Sequence, residues 1–128
     1  MGIISGIIEN TSNSNNIAWV EKKYARLLGQ DEELIRTYQW IKDLMIFTNY
    51  RLIFVETQGS TGKTVKYASF SYKHIIGFEV EAPGDFAADA KLTILITDGM
   101  HTKKIIKDFD EDKDIYQAQA MLAKFVGT

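Results

Sequence analysis

No cysteine occurs among the 128 residues. That excludes disulfide staples, thiol nucleophiles and Cys-based zinc or iron–sulfur sites, and it fits a cytoplasmic setting. Proline occurs once, so nearly the whole chain is free to donate backbone hydrogen bonds to helices and ladders. No apolar run approaches the ~20 residues that a membrane-crossing helix needs. No Lys or Arg precedes the N-terminal isoleucines, so they do not read as a signal peptide. Gly6 stands where a myristoylation signal wants Ser or Thr. Charge of one sign is lacking too: the net charge of −2 supplies no field to gather nucleic acid or an anionic membrane surface. What remains is ordinary for a globular domain, with 45% apolar and 25% charged residues. A chain this long buries roughly two-thirds of its unfolded surface and needs no metal to be stable.

At the N-terminus, apolar residues at 1, 4 and 8 and at 3 and 7 form one stripe on a helix. Gly2 and Gly6 weaken that helix by ~1 kcal/mol each relative to Ala, so it needs a surface to pack on. Ile3, Ile4, Ile7 and Ile8 are therefore candidates for a subunit contact, with docking on the chain's own domain as the plainer alternative. The tract from Asn10 to Asn16 reads as a loop, because its side chains compete for backbone hydrogen bonds. Its Asn10-Thr11-Ser12 sequon matters only in a secreted protein. Apolar positions 17, 20, 24, 27 and 28 then predict a helix over 17–28, started by Asn15 or Asn16 and closed by a left-handed Gly29.

From Leu34 to Lys107 the chain is rich in β-branched and aromatic residues broken by turn signals. This predicts seven strands, over 33–41, 43–48, 51–57, 64–71, 75–81, 91–97 and 102–107. Asn49 suits the positive φ of a tight turn, and Asp98-Gly99 marks a hairpin. Pro83-Gly84 opens the longest connection. Leu44–Phe47 and Leu52–Val55 are apolar at every position, which implies strands buried on both faces, or one face in the core and one against a helix or a neighbour. A final helix starts among Asp110, Glu111, Asp112 and Asp114, where the helix dipole favours negative charge. It carries the stripe Ile115, Ala118, Gln119, Leu122, Phe125 and Val126.

Motifs for chemistry are few. Gly59-Ser-Thr-Gly-Lys-Thr64 ends like a phosphate-binding loop, but Thr57 stands where the first glycine belongs, and strand rather than helix follows. His74 and His101 lack metal-ligand spacing, and no Ser lies in a G-x-S-x-G context. The acidic run 108–114 lacks the spacing of a calcium loop. The residues point to a non-enzymatic chain with no cofactor.

Seven strands and a closing amphipathic helix form the layout of a pleckstrin-homology-like domain. The run Ile41–Val55, with Gln58–Tyr67 and Ser69–His74, resembles the bacterial PH-domain family. So do Phe78–Ala82, then Gly84-Asp85-Phe86 and Asp89-Ala90, and the opening Met1–Ile8. Tyr50, Pro83 and Ala87-Ala88 depart from the pattern, in turns or in the long connection. The resemblance implies an α+β, mainly β fold: a PH-like barrel or sandwich of seven antiparallel strands in two near-orthogonal sheets, with a capping C-terminal helix. An N-terminal helical extension, residues 1–30, precedes the PH-like part, residues 31–128, in one structural domain.

The resemblance also implies a bacterial, cytoplasmic module that forms ring-like homo-oligomers and is not an enzyme. The expected partner is a copy of the chain, or a peptide or protein at a sheet edge. Nucleic acid and membrane are not expected partners. Phosphoinositide or other anionic-lipid binding is the alternative implied by PH domains at large. Its candidate anion contacts are Lys42, Lys63, His101 and Lys103, too dispersed to form the convergent cation cluster that a phosphate demands.

Overall fold

The computed structural model describes residues 14–58, 64–82, 90–110 and 112–127. The N-terminal isoleucines, Lys63 and the Pro83-Gly84 connection lie outside the described residues. The chain divides into two compact units, residues 1–69 and 70–128. Among the described residues, seven strands and two longer helices follow one another in the predicted order.

In the first unit, helix α1 (Ser14–Lys23) leads through a 3-10 turn (Ala25–Leu27) into strands β1 (Leu34–Gln39), β2 (Asp43–Thr48), β3 (Arg51–Gln58) and β4 (Thr64–Ser71). The strands form one sheet in the order β1-β2-β3-β4. Leu44 pairs with Val55 and Ile46 with Ile53 across the β2–β3 ladder. Those four side chains therefore share one face, and Val20 of α1 packs on them together with Leu34. Tyr24, Leu27 and Leu28 close the rim. Val20 is only 1% exposed, and burying such a side chain stabilises by about 2 kcal/mol. The opposite face carries Tyr38, Met45, Phe47, Leu52 and Phe54, all buried, with Tyr38 and Phe47 in edge-to-face contact at 6.1 Å. Burial on both faces explains why β2 and β3 lack the alternation of a half-exposed strand.

The second unit holds β5 (Ile75–Glu81), β6 (Ala90–Thr97), β7 (Thr102–Phe109) and helix α2 (Asp112–Val126), with the sheet order β5-β6-β7. Here the alternation is clean. Leu92, Ile94 and Ile96 are buried, while the residues between them are half-buried. Helix α2 packs against all three strands. Its buried residues Ile115, Ala118 and Leu122 recur at i, i+3 and i+7, the spacing of one helix face. Phe125 stacks on Tyr72, ring centroids 4.9 Å apart.

Three local expectations are corrected. The first helix stops at Lys23, and its last predicted turn is 3-10. Gly29 is not left-handed; the positive φ of that connection falls on Asp31, at 62°. Asn49 also keeps a negative φ. Its side chain holds the neighbouring loop instead, accepting from the Glu33 N–H at 2.7 Å and donating to the Asp31 carbonyl at 3.1 Å.

Candidate functional site

The β1–β2 hairpin ends in a two-residue tip, Ile41-Lys42. The Trp40 N–H donates to the Asp43 carbonyl at 2.8 Å, and the Thr57 N–H donates to the Lys42 carbonyl at 2.9 Å. These bonds fix the tip beside α1, and a pocket of about 120 Å³ lies between them. Trp19, Lys23 and Tyr24 line it from the helix, and Trp40, Ile41 and Lys42 from the hairpin. The Lys23 ammonium sits 4.9 Å from the Trp19 ring centroid and 5.6 Å from that of Tyr24, a cation–π arrangement. Tyr24 meets Tyr67 of β4 edge-on at 6.4 Å. Its phenol is pushed above the ordinary tyrosine range, first by burial and then by Tyr67. At the tip, Ile41 is 96% exposed.

At the other end of the β2–β3 hairpin, Arg51 ties four segments together. Its Nε donates to Glu32 Oε2 at 2.8 Å, its Nη2 to Glu32 Oε1 at 2.9 Å, and its Nη1 to Ser69 Oγ at 2.9 Å. Nη2 also donates to the Leu27 carbonyl. Thr48 Oγ1 donates to Glu32 Oε2 at 2.6 Å and accepts from the Tyr50 and Arg51 N–H groups. The hydrogen bonds from Arg51 hold the Glu32 carboxyl down at about 2, against an ordinary 4.5, and burial only partly opposes them. Glu32 in turn raises the already high pKa of Arg51. Both shifts are accounted for by an internal structural clamp.

Of the candidate anion contacts, Lys63 lies outside the described residues and the other three fall in different units. Lys42 lies in the first unit, at the pocket, next to Asp43. His101 and Lys103 lie in the second unit, in and after the β6–β7 turn. That turn is organised by Asp98, whose Oδ1 accepts from the Met100 and His101 N–H groups at 2.9 and 2.8 Å. These bonds lower its pKa, the His101 amide foremost. Gly99, at φ 98°, supplies the required conformation. Lys103 lies over the Phe70 ring at 5.7 Å. The Gly-Lys-Thr motif runs into β4, so no helix N-terminus follows Lys63. Among the described residues, no three His, Asp or Glu side chains converge as metal ligands. Among them, too, no helix is long and apolar enough to cross a membrane.

Sequence reasoning missed the Trp19–Lys23–Tyr24 row, whose i, i+4 and i, i+5 spacing was the only available signal. It also missed Arg51, a lone charge between two apolar strands.

Comparison with known proteins places this architecture. The family model described as Bacterial PH domain matches residues 2–126. The uncharacterized protein YjqA of Bacillus subtilis (strain 168) is 37% identical over 123 residues, covering 96% of this chain and 97% of that protein. YozO of the same organism, also described as uncharacterized, is 30% identical, covering 80% and 86%. Among solved structures, a pleckstrin homology domain from Shewanella amazonensis SB2B superposes with a TM-score of 0.73 at 33% identity, covering 93% of this chain and 94% of that one. A DUF1696-family protein with a pleckstrin-homology domain from Shewanella loihica PV-4 gives a TM-score of 0.76 at 35% identity, covering 87% and 93%. Seven antiparallel strands in two sheets and a C-terminal helix, matched over nearly the full length in sequence and in structure, make this chain a member of the bacterial PH domain family.

Proposed function

We propose that this PH-like domain is a non-catalytic assembly module whose partner is a copy of itself, built into a closed, ring-like homo-oligomer. One observation carries the reading: the outermost strands expose large apolar side chains. Val65 does so on β4, Ile76 on β5 and Ile106 on β7, where they face solvent in a single copy. The shifted titratable groups also support a structural role. Glu32 and Arg51 are explained by their mutual clamp, Tyr24 by its packing, and Asp98 by its turn.

The test is absolute mass by light scattering on a sizing column over a dilution series. The expected result is a multiple of 14.6 kDa that survives dilution. A particle of 14.6 kDa at every concentration refutes self-assembly. In the same experiment, Ile4→Asp with Ile8→Asp lowers the mass if the N-terminal stripe is a subunit contact; an unchanged mass removes that contact. The competing reading, an anionic-lipid or peptide module, draws on the pocket beside Lys42. Wild-type binding to phosphoinositide vesicles, abolished by Lys42→Ala with Lys63→Ala, would favour it.

A further inference from the structure

The pocket between α1 and the β1–β2 tip combines three kinds of lining. Leu44 and Val55, partners across the β2–β3 ladder and members of the core cluster, supply aliphatic surface. Trp19, Tyr24 and Trp40 add three aromatic side chains, none of them fully buried. Lys23 and Lys42 bring two ammonium groups on exposed side chains. Neither lysine makes an ion pair among the described residues. The Lys23 ammonium is kept at the pocket by its place over the Trp19 and Tyr24 rings. Asp43 also lines the pocket, so two positive charges meet one negative and a single positive charge is left over.

Size and charge together select the occupant. A sealed cavity of roughly 150 Å³ holds benzene. An open pocket of about 120 Å³ therefore holds one ring, with the substituent of that ring at the mouth. The single excess positive charge matches a monoanion. A polyphosphate or inositol phosphate headgroup would bring several negative charges past Asp43, and no arginine is among the described lining residues to fork onto a phosphate. We infer that this pocket binds a small monocarboxylic acid with one aromatic ring. The ring packs against Trp19, Tyr24 and Trp40, where aromatic groups gain from edge-on or offset contact. The carboxylate lies between Lys23 and Lys42, whose charge-assisted hydrogen bonds are stronger than neutral ones. Every described residue of the pocket lies in one unit of one chain, so its binding does not depend on assembly.

The chain has two tryptophans and both line the pocket. Tryptophan fluorescence, excited where a simple phenyl ring does not absorb, therefore reads this site. The probe is 3-phenylpropionate, set against its neutral analogue 3-phenylpropan-1-ol and against inorganic phosphate. The acid should give a saturable change in emission with a Kd on the order of 1 mM, as suits a ligand of about eleven non-hydrogen atoms. The alcohol and phosphate should bind about tenfold more weakly or not at all. Lys23→Gln with Lys42→Gln should raise the Kd of the acid about tenfold while leaving thermal unfolding unchanged. Absence of a saturable change with the acid overturns the inference. So does an alcohol that binds as well as the acid, or phosphate that competes with the acid at equal concentration. Unaltered affinity in the double lysine variant overturns it too, because the acid would then bind elsewhere. The titration reads the same in a monomer and in an assembly, so its failure leaves the mass experiment untouched.

Discussion

Replacing Glu32 by Gln isolates the charge in the Arg51 clamp while keeping the size of the side chain. The Glu32 side chain is only 3% exposed, and that of Arg51 is 29% exposed. The carboxyl titrates at about 2 in the folded protein against an ordinary 4.5. A difference of roughly 2.5 units corresponds to ~3 kcal/mol at 1.36 kcal/mol per unit. Solvent reaches Arg51, so a screened contribution of about 2 kcal/mol is the better expectation. Because the folded value lies below the unfolded one, this stability is fully present above about 4.5. It is lost as the pH falls toward about 2. Urea unfolding of wild type and Glu32→Gln at neutral pH should therefore differ by about 2 kcal/mol, and the gap should shrink steadily below pH ~4.5. A neutral-pH difference under about 0.5 kcal/mol, or a gap that does not change with acidification, would refute the electrostatic account of the clamp.

Two further substitutions probe the frame. Leu122→Ala removes a fully buried side chain from the α2 face and should cost about 3 kcal/mol in chemical denaturation; a loss below about 1 kcal/mol would mean that the site collapses around the deletion. Gly99→Ala places a Cβ on a residue at φ 98° with open space around it. It should cost about 1 kcal/mol through backbone strain alone, read as a lowered melting temperature with the β6–β7 register kept in amide NMR spectra.

The strands were readable from the sequence to within about two residues; the first ran over at its end because Trp40-Ile41-Lys42 carries no turn residue. Asp98-Gly99 gave the β6–β7 turn, and the unbroken apolar runs of β2 and β3 gave two-sided burial. Helix α1 was overextended because Leu27 and Leu28 keep helical spacing while packing from a 3-10 turn. Gly29 looked like a helix cap, yet its N–H is taken by Glu32 Oε1 at 2.9 Å, and Asp31 makes the left-handed step. The Glu32–Arg51 pair joins residues 19 apart, so no local pattern announces it. Lys42, read from the sequence only as a candidate anion contact in the first hairpin turn, lines the pocket. Its companions Trp19 and Lys23 sit on a helix face that a hydropathy pattern assigns to solvent.

Two-sided burial of the β2–β3 hairpin has a cost in the unfolded chain. Leu44–Phe47 and Leu52–Val55 have no polar face on which to place a protective charge. Each is a short, strongly β-prone, uncharged segment of the kind that stacks between chains. Asp43 and Glu56 flank the pair and Arg51 interrupts it, so three charges stand as gatekeepers where the fold allows none inside. Refolding yield should consequently fall steeply with protein concentration. Loss of Arg51 would then harm recovery from denaturant more than the native clamp alone explains, because the same side chain guards the chain before it has folded.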